Sequence, residues 1–256
     1  MNLIYYLNQI KCIFFNFFNR DIRNYYFLSD SETIQYLIEN NKSLIRWGDG
    51  ETFFFLGGDY YFQRGSKDLQ KSLYLILKEN NKLNAHFLLA MPKYFLEMSK
   101  EDLVGRGMYG TWHDTRCIFL KFCEKRIKYG DAFVFRPESR TTNLEIEQLW
   151  LGKDVIIVCS EEQYYEDFKE KYNGQNNYFV KIPKTDAFEV HEQILFDIKK
   201  IIEQKCLVGN KLRILVAAGP AAKVIVYKLS IEGFISYDIG QYFVWKFYNR
   251  TKLKQG

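Results

Sequence analysis

With 256 residues, 47% of them hydrophobic and 26% charged, the chain has the balance of a globular protein with a sizeable core and no polar tract long enough to stay disordered. A net charge of +5, spread over scattered lysines and arginines, falls short of a nucleic-acid-binding footprint and fits a mild preference for anionic ligands or lipid headgroups. Cys12, Cys117, Cys123, Cys159 and Cys206 form no C-x-x-C pair, which excludes a zinc framework and reads as reduced thiols of a cytoplasmic protein.

The first twenty residues, MNLIYYLNQIKCIFFNFFNR, are apolar but interrupted by Asn8, Gln9, Lys11 and Asn16, too often for a membrane-spanning helix. They also lack the basic start and small-residue cleavage site of a secretory signal. Wound as a helix, they put Leu3, Leu7, Ile10, Phe14, Phe17 and Phe18 on one face, with Asn2, Gln9, Asn16 and Arg20 opposite. Such a stripe lies in a membrane interface, with Lys11 and the tyrosines at headgroup level, or packs on protein; both readings stand. Residues 1–28 are therefore set apart as an amphipathic extension of a single α/β domain over 29–256.

Ser29-Asp30-Ser31-Glu32 is a capping box that predicts a helix to about Asn40. A strand is expected at 43–47, a helix at 66–80 and a buried strand at His86–Ala90, stopped by Pro92. Then follow a helix at 111–127, a strand at 131–135 ending at Arg136-Pro137, and a helix at 143–151. The β-branched strand 154–160 leads to a helix at 161–172, a strand at 178–182 and a long helix at 188–205. The last third is plainest: strand RILVAAG, helix PAAKVIVYKLSIEG, strand FISYDIG. Strands alternating with helices predict an α/β fold, a mostly parallel Rossmann-like sheet with helices on both faces.

In such sheets ligands gather at the carboxyl ends of the strands, and the residues there are Asp49, Glu51, Arg136, Glu161, Gly219-Pro220 and Asp238. Asp49 and Glu51, two apart in extended backbone, point to one side and suit Mg²⁺ or Mn²⁺ completed by water and phosphate oxygens. The plainer alternative has Asp49 capping a turn and Glu51 in solvent. Gly219 followed by Pro220 frees a helix N-terminus for phosphate, with Lys223 adding charge. No G-x-G-x-x-G is present, yet Asp238 ends the next strand where nucleotide-binding units place a ribose-binding acid. Arg136 has the planar fork that binds diphosphate, or else pairs with a carboxylate. Trp112-His113-Asp114 reads as a helix start with Asp114 aiding the dipole, and the three histidines share no ligand spacing.

These pieces together resemble the GT-D-type glycosyltransferases, bacterial enzymes that build adhesin glycans and surface polysaccharides. The matching segments are SLIRWGDGE, YFQ at 61–63, VFRP at 134–137, LWLGKDVIIV at 149–158, IPKTDAF at 182–188, and GPAAKVIVYKL with YDIG at 219–240. The resemblance implies that Asp49 and Glu51 hold Mn²⁺ or Mg²⁺ on the diphosphate of a UDP-sugar. Arg46, Gly48, Gln63, Arg136, Gly219, Pro220, Lys223 and Asp238 would then form the donor side. The acceptor is expected to be a growing glycan or lipid-linked saccharide, handled in the cytoplasm or at the inner face of the membrane through residues 1–20. Three departures stand out. The family's Gly-Pro-Thr-Ala-Lys becomes Gly219-Pro220-Ala221-Ala222-Lys223, and its Asp-Ile-Gly-His ends in Gln241. Its Glu-Gly-Glu segment is replaced by CSEEQYYEDFKEKYNG, leaving Glu161 as candidate general base. Two rival readings remain: a degenerate scaffold of a glycan assembly complex, or another nucleotide-dependent transferase, such as a methyltransferase, built on the last βαβ unit.

Overall fold

In chain order the strands are β1 (Tyr26–Phe27), β2 (Ser43–Arg46), β3 (Phe87–Met91), β4 (Lys128–Asp131), β5 (Asp154–Cys159), β6 (Asn177–Lys181), β7 (Leu212–Val216) and β8 (Ser236–Asp238). In this computed structural model, which describes residues 3–18, 22, 24–137 and 139–248, they form one sheet in the order β1-β4-β3-β2-β8-β7-β5-β6. Every pairing in it is parallel, as expected from the alternation of elements. The helices are α1 (Leu3–Phe18), α2 (Asp30–Asn40), α3 (Asp49–Phe55), α4 (Lys67–Asn80), α5 (Lys93–Glu97), α6 (Lys100–Gly105), α7 (Tyr109–Phe122), α8 (Asn143–Glu147), α9 (Glu162–Lys171), α10 (His191–Gln204) and α11 (Pro220–Ile231).

Both faces of the sheet are covered, which is why its strands read as apolar runs rather than as alternating ones. Ile45, Leu89, Ile156, Val158, Ile214 and Val216 share one core with α4, α7, α10 and α11. Leu44, Leu88, Val155, Ile157, Leu215 and Tyr237 share the other with α2, α8 and α9. The Ser29 box forms as expected: Glu32 N–H donates to Ser29 Oγ at 3.2 Å, and Ser29 N–H to the Glu32 carboxylate at 2.8 Å.

The chain lays down the sheet in two blocks. Residues 26–131 supply β1 to β4, residues 154–238 supply β5 to β8, and within the sheet the two blocks pair along β2 and β8. Their backbone register at that seam is the single pair Leu44↔Tyr237, against five pairs between β5 and β7. Side chains reinforce it: Ser236 N–H donates to Ser43 Oγ at 3.0 Å, and Arg46 Nε to Asp238 O at 2.7 Å.

Several expectations are corrected. The segment 131–135 is not a strand: β4 ends at Asp131, whose carboxylate accepts the Phe133 N–H at 2.7 Å and bends the chain into a turn. Arg136 therefore sits in a loop beyond β4 rather than at a strand end. Trp112-His113-Asp114 lies inside α7 instead of starting it. Asp49 and Glu51 are not in extended backbone, because they open the short helix α3.

The N-terminal helix forms as expected and docks on the domain. Cys12 and Ile22 join the main core, and Tyr26–Phe27 of the expected extension is an edge strand. Asn2 and Arg20, and the side chains of Leu3, Asn16, Phe17 and Phe18, lie outside the described set. Among the described residues no helix is long and apolar enough to cross a membrane.

Candidate active site

The site begins where β2 runs out. Trp47 is buried, with its indole N–H donating to Thr52 Oγ1 at 3.2 Å, and Thr52 donates to Thr115 Oγ1 on α7 at 3.0 Å. Gly48 caps α3 without a side chain, and the Glu51 carboxylate closes the turn by accepting the Gly48 N–H at 2.8 Å. Asp49 and Glu51 thus occupy the first and third helical positions, about 200° apart around the axis. Glu51 turns inward and is buried, whereas Asp49 is exposed to the cavity.

What Glu51 turns toward is Lys223. The ammonium lies 2.8 Å from Glu51 Oε1 and 3.1 Å from Asp238 Oδ2, and donates to Gly219 O at 3.1 Å, so its three protons are spent. Arg46 completes the cluster: its backbone N–H donates to Asp238 Oδ2 at 3.3 Å and its Nη1 to Ala132 O at 3.1 Å. Gly240 N–H adds a bond to Asp238 Oδ1 at 3.2 Å. Two cations and two carboxylates balance in a buried network spanning β2, α3, α11 and β8. Burial works against the charged Lys223, but Asp238 and then Glu51 outweigh it, and its pKa is raised above the ordinary 10.5.

A cavity of about 520 Å³, the size of a small-molecule site, opens in front of this network. Its floor is Arg46, Gly48, Asp49, Gly50, Glu51, Gly219 and Lys223; Arg136 and Phe133 enter from the loop after β4; Thr111, Trp112 and Asp114 enter from α7. Tyr60, Tyr61, Phe62 and Trp245 supply aromatic wall. Asp49 is pushed above its ordinary value, first by the protein packed around it and then by the Glu51 charge, with Arg136 pulling the other way. No ion pair with a described residue engages Arg136, whose guanidinium lies over the Phe133 ring at 5.0 Å.

The sequence-derived candidates divide accordingly. Asp49, Glu51, Arg46, Gly48, Arg136, Gly219 and Lys223 come together at the cavity. Asp238 lies behind it, fully buried with its carboxylate satisfied, so it has no oxygen for a ribose. Pro220 is buried at the first turn of α11. Gln63 is a buried clamp, accepting the Phe188 N–H at 3.0 Å and donating to Arg64 O at 3.0 Å. Glu161 precedes α9 just beyond β5, a strand two places from β8, pairs with Lys184 at 2.7 Å and is not part of the cavity wall.

Asp114 is the cavity residue that motif reading passed over. Its neighbours on α7, Trp112, Thr115, Cys117, Ile118 and Phe119, are buried, and a carboxylate on such a face was the available signal. Gln9 of α1 donates to its Oδ2 at 2.8 Å, and His113 Nδ1 lies 3.4 Å from Oδ1.

Could these residues hold a divalent cation? Among the described residues no three His, Cys, Asp or Glu side chains converge as a cage. Glu51 has one oxygen on a backbone N–H and the other on Lys223, which leaves Asp49 as the available carboxylate. Hard cations that bind phosphates need one or two carboxylates, the rest being water and phosphate oxygens, so the site fits such an ion through Asp49 with Glu51 behind it.

Residues 44–254 match the family described as glycosyltransferase GT-D fold. The chain belongs to the GT-D glycosyltransferases. This GT-D chain is 25% identical over 223 residues to a probable glycosyl transferase of Streptococcus gordonii, covering 83% of the chain and 31% of that protein. It is 26% identical over 242 residues to the glycosyltransferase GlyD of Streptococcus pneumoniae serotype 4, covering 87% and 28%. It thus spans less than a third of the length of these curated relatives. Among solved structures it resembles the highly conserved domain of unknown function 1792, described as having a distinct glycosyltransferase fold, at TM-score 0.71 and 22% identity over 96% of this chain and 86% of that one. A glycosyltransferase of the same domain type from Streptococcus sanguinis matches at TM-score 0.72 and 22% identity over 89% and 85%. The cavity lies at the carboxyl ends of β2, β4, β7 and β8, across the seam.

Proposed function

We propose that the protein transfers a hexose from a UDP-sugar to a growing glycan or lipid-linked saccharide, with Mn²⁺ or Mg²⁺ bound at Asp49. The observation that carries this is the pairing of one open carboxylate, Asp49, with one open guanidinium, Arg136, in front of the charge-balanced network of Glu51, Lys223, Asp238 and Arg46. The cation, when bound, would neutralise the diphosphate and stabilise it as the leaving group. Arg136 takes diphosphate oxygens through its planar fork. Lys223 holds Glu51, and Glu51 holds the first turn of α3, so Asp49 is presented from a fixed backbone. As the bond from the anomeric carbon to the β-phosphate oxygen breaks, the acceptor oxygen bonds that carbon and gives up its proton.

Asp114 is the carboxylate we assign to receive that proton, in place of Glu161. It faces the cavity and is held by Gln9 and His113 rather than by a lysine or arginine, which orients it. The rewritten segment after β5 runs through Glu161 into α9 and lines no part of the cavity, so the donor-side groups named above do not depend on it. The adenosyl-cofactor alternative loses its ribose acid, because Asp238 is buried and satisfied.

The test is thermal-shift binding of UDP with and without Mn²⁺. Metal-dependent stabilisation in the wild type that Asp49→Ala abolishes supports the donor reading, and Asp114→Asn is expected to keep that response while losing transfer. No UDP response from folded wild-type protein overturns the reading.

A further inference from the structure

Helix α1 wears its polarity inside out. Asn8 and Gln9 face the protein, where Asn8 donates to Leu56 O at the end of α3 and Gln9 to Asp114. Tyr6, Leu7, Ile10, Ile13 and Phe14 face outward, from 39% exposed at Tyr6 to 66% at Phe14. At 100° per residue these five fill one arc of about 120°, opposite buried Cys12. A helix that turned this face to water would leave a continuous apolar strip there at a standing free-energy cost.

What covers the strip is indicated by its neighbours. The helix runs parallel to α7: Gln9 meets Asp114, Cys12 meets Cys117, and Tyr25 beyond its end donates to Cys123 O at 3.4 Å. Its end therefore lies beside the end of α7, where Lys121, Lys125, Arg126 and Lys128 are exposed and the acid among them, Glu124, is bonded to Arg126. Lys11 is exposed at the margin of the strip, and Tyr26, half exposed, lies under the Lys128 ammonium at 5.4 Å. An apolar strip flanked by unneutralised cations and an amphiphilic ring matches an anionic leaflet, with rings and ammonium groups at headgroup depth. A second copy of the chain would bring the same positive charge against it.

We propose that α1 and the basic end of α7 form a docking surface for an anionic lipid bilayer, with α1 lying in the plane of the interface. Because the inner face of α1 holds Asp114 and the end of α3, docking would set the cavity wall beside the membrane. The value of that placement for a lipid-linked acceptor rests on the sugar-transfer reading; the docking itself does not.

The experiment is flotation of the full chain on vesicles of phosphatidylcholine with phosphatidylglycerol, against phosphatidylcholine alone. Wild type is expected to float with the anionic vesicles. Both Ile10→Ser/Phe14→Ser and Lys121→Ala/Lys125→Ala should reduce the bound fraction tenfold or more at unchanged Tm, and salt should weaken it further. Failure to float, or equal binding to both vesicle types, overturns the proposal. So does a solution dimer that Ile10→Ser/Phe14→Ser dissociates, which would assign the face to a second copy. Flotation reads no turnover, so a chain that floats but ignores UDP refutes the donor reading alone.

Discussion

Replacing Lys223 by methionine keeps the stem and roughly the volume but removes the ammonium from between Glu51 and Asp238. Breaking a buried ion pair by deleting one partner typically costs about 3–5 kcal/mol, because the other charge stays buried. Here Asp238 retains Arg46 and the Gly240 N–H, whereas Glu51 keeps only the Gly48 N–H, so the lower part of that range applies, about 3–4 kcal/mol. At about 2–4 °C per kcal/mol for a domain of this size, Tm should fall by about 6–16 °C at pH 7.5. The pH dependence fixes the cause. In the variant the two carboxylates are buried without their cation, so the penalty is present while both are ionised at neutral pH and is relieved as acid neutralises them. In the wild type the raised Lys223 value stabilises the fold below about 10.5, the ordinary lysine value, and that contribution is lost only as pH rises through the still higher folded value. The assay is a thermal melt of both proteins from pH 4.5 to 8, with Lys223→Met/Glu51→Gln as a third arm that should recover part of the loss. A Tm deficit under about 3 °C, or one that grows on acidification, would refute the reasoning.

Asp49 carries the opposite stability sign. Its raised value means that the ionised form burdens the fold at neutral pH, so Asp49→Asn should raise Tm at pH 7.5, with the gain fading as pH falls through the wild-type value. For the same reason any Mn²⁺-dependent UDP response of the wild type should fail on acidification at a higher pH than an aspartate of ordinary value 3.8 would allow. Gly240 has φ +52, and a β-carbon there would meet Arg46 Nη2 at 1.8 Å. Gly240→Ala should therefore cost at least about 1 kcal/mol in a denaturant melt, from left-handed strain and from displacing Arg46 off Asp238. Gly50 is the converse: nothing lies within 4 Å of an added β-carbon, and the residue lines the cavity. Gly50→Val should leave Tm within a degree or two while reducing the UDP shift, and an undiminished shift would place the ligand elsewhere.

The sequence carried most of the fold because local signals agreed over long stretches. The Ser29 box, the run from Asp154 to Cys159 and the final strand-helix-strand unit each combine a start signal, a period and a stop. Where reading failed, one of these was missing. Helix α3 begins on glycine, so only the Glu51 half of its capping box is written in side chains, and its seven residues show barely two turns of period. Ala132, Val134 and Phe135 mimic a strand because a buried turn is as apolar as a buried strand, and the turn is dictated by one carboxylate. For the site, spacing pointed to Asp49 and Glu51 but could not reveal that Glu51 is taken by a lysine distant in sequence. Asp114 and Gln9 meet across two helices that no motif connects.

The sparse seam between β2 and β8 has a consequence for how the protein comes into being. Each four-strand block is drawn from one contiguous stretch of chain, and the Leu44–Tyr237 pairing that joins them closes a longer loop than any pairing within a block. Glu51 and Arg46 arrive with the first block, Lys223 and Asp238 with the second. Each block carries one cation and one carboxylate, and the Lys223–Glu51 and Arg46–Asp238 contacts that knit the four into one network form only when the blocks join. The network that prepares the cavity is thus also the latch of the finished fold, and a chain competent to bind its ligand is one in which both blocks have folded and joined.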